Sequence, residues 1–64
     1  MPLKPLPFRD IKRKLEAAGF EESRTSGSHV KFVNESTQGR RVAIVPKHRE
    51  VAVGTIRSII RQAG

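Results

Sequence analysis

Few residues of this 64-residue chain are suited to acid–base chemistry, because it has two histidines, six acids and no cysteine. His29 comes directly after Gly27-Ser28, and Lys31 lies two residues further on. In a β-strand this spacing places both side chains on one face. An imidazole titrates near neutral pH, so His29 could take the proton of a ribose 2′-hydroxyl while cations hold the phosphate. The competing interpretation is that His29 is an ordinary polar strand residue.

The second histidine lies in a basic segment. His48 stands between Lys47 and Arg49, two residues after a proline that ends an apolar run. A histidine in this position is either a solvated loop residue, or a second proton donor or phosphate contact, since strand cleavage requires protonation of the leaving 5′-oxygen. Lys47 and Arg49, together with Lys31, are the candidate phosphate ligands.

The start of the last predicted helix is a further candidate phosphate site. Gly54 and Thr55 open this helix, and their plain role is helix initiation, with the Thr55 hydroxyl as a cap. The functional alternative is that exposed backbone N–H groups at the helix N-terminus bind phosphate beside the basic loop. Arg57 and Arg61 are four residues apart and share one helix face, where they are either solvated or extend the basic surface.

The charge balance indicates the class of partner. The chain has 13 lysines and arginines against six acids, which gives a net charge of +7. So strong a positive field on a small domain favours polyanions. The three aromatic residues, Phe8, Phe20 and Phe32, all fit core positions, which leaves no platform for base stacking. We therefore expect the protein to recognise the backbone and groove shape of RNA.

Several classes of site are excluded by residue type. The absence of cysteine excludes disulfides, thiolate nucleophiles and cysteine-ligated zinc. His29 and His48 lie in different segments, and Glu21-Glu22 would project from opposite sides of a strand, so we expect no metal site, no paired-carboxylate chemistry and no cofactor. No apolar run approaches the ~18 residues of a membrane span, and the N-terminal residues lack the apolar region expected of a secretory signal. We therefore expect a cytoplasmic protein with no membrane partner.

Hydrophobic spacing predicts a helix near the N-terminus. The proline-rich segment 1–7 is expected to be extended. Phe8, Ile11, Leu15 and Ala18 then recur at intervals of three and four residues. This spacing predicts an amphipathic helix over residues 7–18, with the following glycine as its stop signal.

Three strands are predicted after this helix. They cover residues 20–25, 29–33 and 41–45. Turns are predicted at 26–28 and, as a longer polar cluster, at 34–39. Because both connections are short, the strands should form an antiparallel meander.

A second amphipathic helix is predicted at the end of the chain. Its apolar face consists of Ile56, Ile59, Ile60 and Ala63. The resulting order is helix, strand, strand, strand, helix. We therefore predict one α+β domain over residues 1–64, with a three-stranded antiparallel sheet and both helices packed on one face of it.

Taken together, these segments resemble the HicA-type toxins, the small mRNA interferases of bacterial toxin–antitoxin pairs. The matching features occur in the order expected of that family: Leu15-Glu16-Ala17-Ala18-Gly19-Phe20, Gly27-Ser28-His29, Val45-Pro46-Lys47-His48 and the segment 54–64. The resemblance covers nearly the whole chain. It implies a fold like that of double-stranded RNA-binding domains (dsRBD-like), in agreement with the order of elements derived above.

The resemblance also implies an activity. It places the family's catalytic histidine at His29 and suggests an endoribonuclease that cuts mRNA and is neutralised by a HicB-type antitoxin, which masks the active face. The alternative from another functional class is a non-catalytic double-stranded RNA-binding module. It explains the fold and the charge equally well but assigns no role to His29. Direct DNA binding is not expected, because the sequence has no helix-turn-helix signal.

Overall fold

The computed structural model describes residues 4–64, which adopt the predicted order of elements. The helices and strands are α1 (Phe8–Ala17), β1 (Glu21–Ser26), β2 (His29–Ser36), β3 (Gly39–Pro46) and α2 (Val53–Ala63). The strands form one antiparallel sheet in the order β1-β2-β3. The α+β class and the three-stranded meander are thus confirmed, and β2, which begins at His29, is the central strand.

Both helices pack on one face of the sheet, here called the inner face, as predicted. The centre of the core is a set of buried cross-strand pairs, Val30–Val45 and Phe32–Ala43. Buried side chains from both helices cover these pairs: Ile11, Leu15, Ile56 and Ile59. Since side chains alternate along a strand, His29 and Lys31 lie on the opposite, outer face.

Helix α1 begins and ends within one residue of its predicted bounds. Pro7 is the N-cap, with an extended backbone (φ −70°, ψ 155°), and Ala18 is the C-cap. Gly19 follows with φ +97°, a left-handed backbone that glycine adopts without a Cβ penalty, and the chain turns there into β1. Ala18 was predicted on the apolar face but is exposed, because the helix has already ended at this position.

The predicted turn over residues 34–39 is wrong in extent. Strand β2 continues to Ser36 and β3 starts at Gly39, so only Thr37-Gln38 form the turn. The Ser36 hydroxyl accepts a hydrogen bond from the Gln38 N–H and donates one to the Gly39 carbonyl, both at 3.2 Å. These strand ends are exposed and polar, and so resemble a turn in sequence although they are paired.

The extended segment before α1 is attached to the loop before α2. Leu6 and Val51 exchange two backbone hydrogen bonds, at 3.2 Å and 2.7 Å. Phe8 follows at the start of α1, where it is half-buried with its ring centroid 6.2 Å from that of Phe32. The part of the predicted extended segment that covers residues 1–3 lies outside the described residues.

Helix α2 buries only part of its predicted apolar face. Ile56 and Ile59 are buried, whereas Ile60 is 52% exposed. Successive helical residues are about 100° apart, so Ile60 is turned away from Ile59 toward the space between the two helices. Within residues 4–64, no helix is long and apolar enough to cross a membrane.

Candidate functional site

His29 lies at one end of the sheet, at the start of the central strand. The preceding turn, Gly27-Ser28, has two residues, and Gly27 has the positive φ of +59° that such hairpin turns require. Ser26 on β1 and Pro46 on β3 pair with His29 on either side. The imidazole is exposed, and no side chain among residues 4–64 forms a hydrogen bond or salt bridge with it. It is therefore accessible to a ligand.

Two cations lie on the outer face beside His29. Lys31 is next to His29 on this face of β2, is half-buried, and has Arg24 of β1 as its cross-strand partner. Sequence reasoning missed Arg24, which belongs to no recognisable motif. The signal that could have found it is the turn: two residues at 27–28 fix the hairpin register, and that register places Arg24 opposite Lys31.

The loop after β3 meets the turn before His29. The Lys47 N–H donates a hydrogen bond to the carbonyl of Ser28, and the Lys47 Nζ lies 6.0 Å from the centroid of the Phe8 ring. The carbonyl of His48 accepts a hydrogen bond of 3.2 Å from the Phe8 N–H. The structure therefore brings Lys47 and His48 to the same end of the sheet as His29, and both side chains are exposed.

The start of α2 differs from its prediction. Ala52 is the N-cap and no side chain caps the helix, so the predicted capping role of Thr55 is wrong, because Thr55 is already the third residue of the helix. No acidic residue lies in the first turn. A Cβ placed on Gly54 would meet no atom within 4 Å, so space alone does not require glycine there. The backbone N–H groups of this turn are thus left without a side-chain partner among residues 4–64.

The remaining predicted phosphate ligands, Arg49, Arg57 and Arg61, are exposed and lie outside the sheet. Arg49 lies in the loop before α2. Arg57 and Arg61 share the solvent side of α2, since helical geometry turns them away from the buried Ile59. The structure does not bring these two arginines onto the sheet face that carries His29.

The outer face of the sheet changes in charge along its length. Its end at His29 carries the pair Arg24–Lys31. The opposite end carries Glu21 on β1 and the cross-strand pair Glu35–Arg40, whose Oε1 and Nε atoms are 3.9 Å apart. An anion on this face would therefore be attracted toward the end at which the imidazole lies.

The groups gathered at this end of the sheet include the His29 imidazole, the primary amines of Lys31 and Lys47, and the guanidinium of Arg24. An imidazole can transfer protons, and the cations can bind phosphate oxygens. In the described part of the chain, no three histidine or acidic side chains lie close enough together to hold a metal ion. The chemistry available from the protein itself is therefore proton transfer beside a bound anion.

Comparison with curated proteins and with solved structures gave no match. A family model, described as the HicA toxin of bacterial toxin-antitoxin systems, matches residues 8–64. The match includes both helices, the whole sheet and every candidate residue discussed above. The protein therefore belongs to the HicA toxin family and is the toxin component of a toxin–antitoxin pair.

Proposed function

We propose that this toxin is a metal-independent endoribonuclease that cleaves mRNA by general acid–base catalysis at His29. The observation that carries the proposal is the position of this side chain. It is an exposed imidazole at the start of the central strand, beside the Arg24–Lys31 pair and joined through Ser28 to the loop of Lys47. The generally RNase-like character of the HicA family supports the same activity.

The reaction requires no co-reactant in its first step. His29 takes the proton of the ribose 2′-hydroxyl, and the 2′-oxygen attacks the adjacent phosphorus. The bond between phosphorus and the 5′-oxygen breaks, which leaves a 2′,3′-cyclic phosphate and a 5′-oxygen that needs a proton. The protonated His29 returns that proton, or His48 at the same end of the sheet supplies it.

Cations around His29 stabilise the charge that develops on the phosphate. We assign this role to Lys31 and Arg24 on the outer face and to Lys47 and Arg49 in the loop. Lys31 is the best restrained of the four, because it lies on the central strand and is half-buried. The acidic end of the outer face repels the RNA backbone and so favours binding near His29.

The first turn of α2 contributes a second phosphate contact. The N–H groups at Gly54 and Thr55 have no capping side chain, and the helix dipole at this end attracts anions. Arg57 and Arg61 lie further along α2, on its solvent side. In this assignment they bind neighbouring phosphates of the RNA without taking part in cleavage.

The cognate antitoxin that family membership implies is, in this proposal, a HicB-type protein. A basic active end that must be silenced requires a partner with complementary acidic surface. Such an antitoxin would cover His29 and the start of α2 and exclude mRNA by occlusion. An antitoxin that bound while RNA cleavage continued would contradict occlusion.

The test of the proposed function is His29→Ala, with His48→Ala as the companion variant that tests the second histidine. Because the His29 side chain is exposed, the substitution should change stability by no more than about 0.5 kcal/mol, measured by circular dichroism and thermal midpoint. Loss of proton transfer should lower RNA cleavage by roughly 10²- to 10⁴-fold and abolish toxicity on expression. RNA affinity should change little, because the cations remain.

Cleavage is measured on a synthetic RNA in the presence of a chelator, with the products analysed for a 2′,3′-cyclic phosphate. A folded His29→Ala protein that cuts RNA at the wild-type rate would refute the role of His29, and a matching loss in His48→Ala would transfer it. A wild-type protein that binds double-stranded RNA without cutting any RNA would favour the non-catalytic binding module.

A further inference from the structure

The two helices leave a groove open between them on the inner side of the sheet. It has a volume of about 1030 Å³ and extends from Leu6, near the start of α1, to the turn that joins β2 and β3. Its apolar lining comes from both helices and from the end of the α1–β1 connection: the floor is formed by Ile11, Leu15, Phe20, Ile56 and Ile59, which are only 3–6% exposed, and the edge by the exposed Ile60. This groove lies on the opposite side of the sheet from His29.

Ile60 is a large apolar residue of this groove whose side chain is exposed to solvent. Ile60 is 52% exposed and lines the groove from α2. Its neighbour Ile59 is 3% exposed, so the opening begins where the packing of α2 against the sheet ends. Ile60 and the half-buried Leu6 and Ala63 are the apolar side chains of the groove that a partner can contact.

The polar lining of the groove is positively charged. Lys14 of α1 and Arg41 of β3 line it, as does Arg40, whose side chain pairs with Glu35 on the outer face; no aspartate or glutamate lines it among residues 4–64. Arg40 is 3.9 Å from Glu35, whereas Lys14 and Arg41 form no salt bridge within the described residues. An apolar floor beside unpaired cations fits a segment with apolar side chains on one face and carboxylates beside them.

We propose that the cognate antitoxin anchors an amphipathic, acidic segment in this groove. A second copy of the chain fits less well, because it carries the same net charge of +7 and the same basic groove lining. RNA fits less well because the floor is aliphatic, and its one aromatic residue, Phe20, is 4% exposed and offers no stacking surface. The inference rests on the proposed toxin–antitoxin pairing and is independent of catalysis by His29.

The location of the groove has a mechanistic consequence. Anchoring occurs on the inner side of the sheet, while His29 lies on the outer face. The groove therefore contributes to antitoxin affinity, whereas inhibition depends on the cover over His29. Changes in the groove should weaken the complex and leave the intrinsic RNA cleavage of the free toxin unaltered.

The experiment compares two groove variants, Ile60→Asp and the double variant Lys14→Glu with Arg41→Glu, all at exposed positions. The matched control is Arg9→Glu with Arg13→Glu, which makes the same charge change at exposed residues of α1 that do not line the groove. The probe is the purified full-length cognate antitoxin, titrated by calorimetry. Circular dichroism checks that each variant is folded.

Both groove variants should bind the antitoxin about tenfold or more weakly, with the control within about twofold of wild type and RNA cleavage by the free toxin unchanged. Wild-type antitoxin affinity in both variants would overturn the proposal. A loss of RNA affinity in place of antitoxin affinity in both variants would also overturn it, and would assign the groove to RNA binding. A wild-type dimer that Ile60→Asp dissociates would assign it to a second copy. RNA cleavage is scored separately, so an inactive wild-type toxin would refute the ribonuclease while leaving this binding test valid.

Discussion

The salt dependence of RNA binding tests whether the cations around His29 contact phosphates. Four side chains are assigned to this role: Arg24, Lys31, Lys47 and Arg49. Each phosphate contact on single-stranded RNA contributes about 0.7 to the slope of log K against log salt concentration. These four contacts therefore contribute about −2.8 to the slope, and the double variant Arg24→Ala with Lys31→Ala should make the slope shallower by about 1.4.

The assay is a fluorescence titration of labelled RNA at several salt concentrations, with all proteins in the His29→Ala background so that the RNA stays intact. The matched control is Lys14→Ala with Arg41→Ala, which removes two positive charges on the other side of the sheet. Its slope should stay close to that of the parent protein. An unchanged slope in Arg24→Ala with Lys31→Ala, or equal losses in both double variants, would refute the assignment of phosphate contacts to the outer face.

Three further perturbations follow from the structure. Phe32→Ala removes a fully buried ring from the centre of the core. The free energy of unfolding, measured by urea denaturation, should fall by about 3–5 kcal/mol. A loss below about 1 kcal/mol would contradict the central position of Phe32. Arg57→Ala with Arg61→Ala should weaken RNA binding equally for all sequences, and wild-type affinity in a filter-binding assay would leave both arginines as solvated residues. Gln62→Ala removes the side-chain oxygen that accepts a 2.9 Å hydrogen bond from the Ile44 N–H on β3. The Ile44 amide hydrogen should therefore exchange faster in NMR experiments, and the protein should lose about 1 kcal/mol of stability. Unchanged exchange would show that Gln62 does not protect this amide.

The faces of the elements were predictable because they follow from local periodicity. The alternation of Val30 and Phe32 with His29 and Lys31 placed the imidazole on the outer face before any contact was known. Helix α1 was likewise predicted within one residue at each end, from apolar residues spaced three and four apart between a proline and a glycine. Ile60 shows the limit of this reasoning, since a helical pattern defines a face but not how much of it is covered.

The pairing of β2 with β3 was only partly predictable. The cluster at 34–39 has the composition of a turn, and cross-strand partners extend both strands through most of it. Arg24 became a candidate only when the hairpin register placed it opposite Lys31. In both cases the register between two paired strands is decisive, and the composition of either segment does not reveal it.

The sequence by itself determined the fold class, the central candidate His29 and the positive charge that favours RNA, because residue type and spacing are local properties. The tertiary structure alone decided which cations lie near the imidazole and which lie elsewhere. Lys47 is held near His29 by a backbone hydrogen bond to Ser28. Arg57 and Arg61, in contrast, point to solvent from α2. It also decided that a groove remains between α1 and α2. The separation of two helices depends on how their side chains pack on the sheet, and that packing is set by all the elements together.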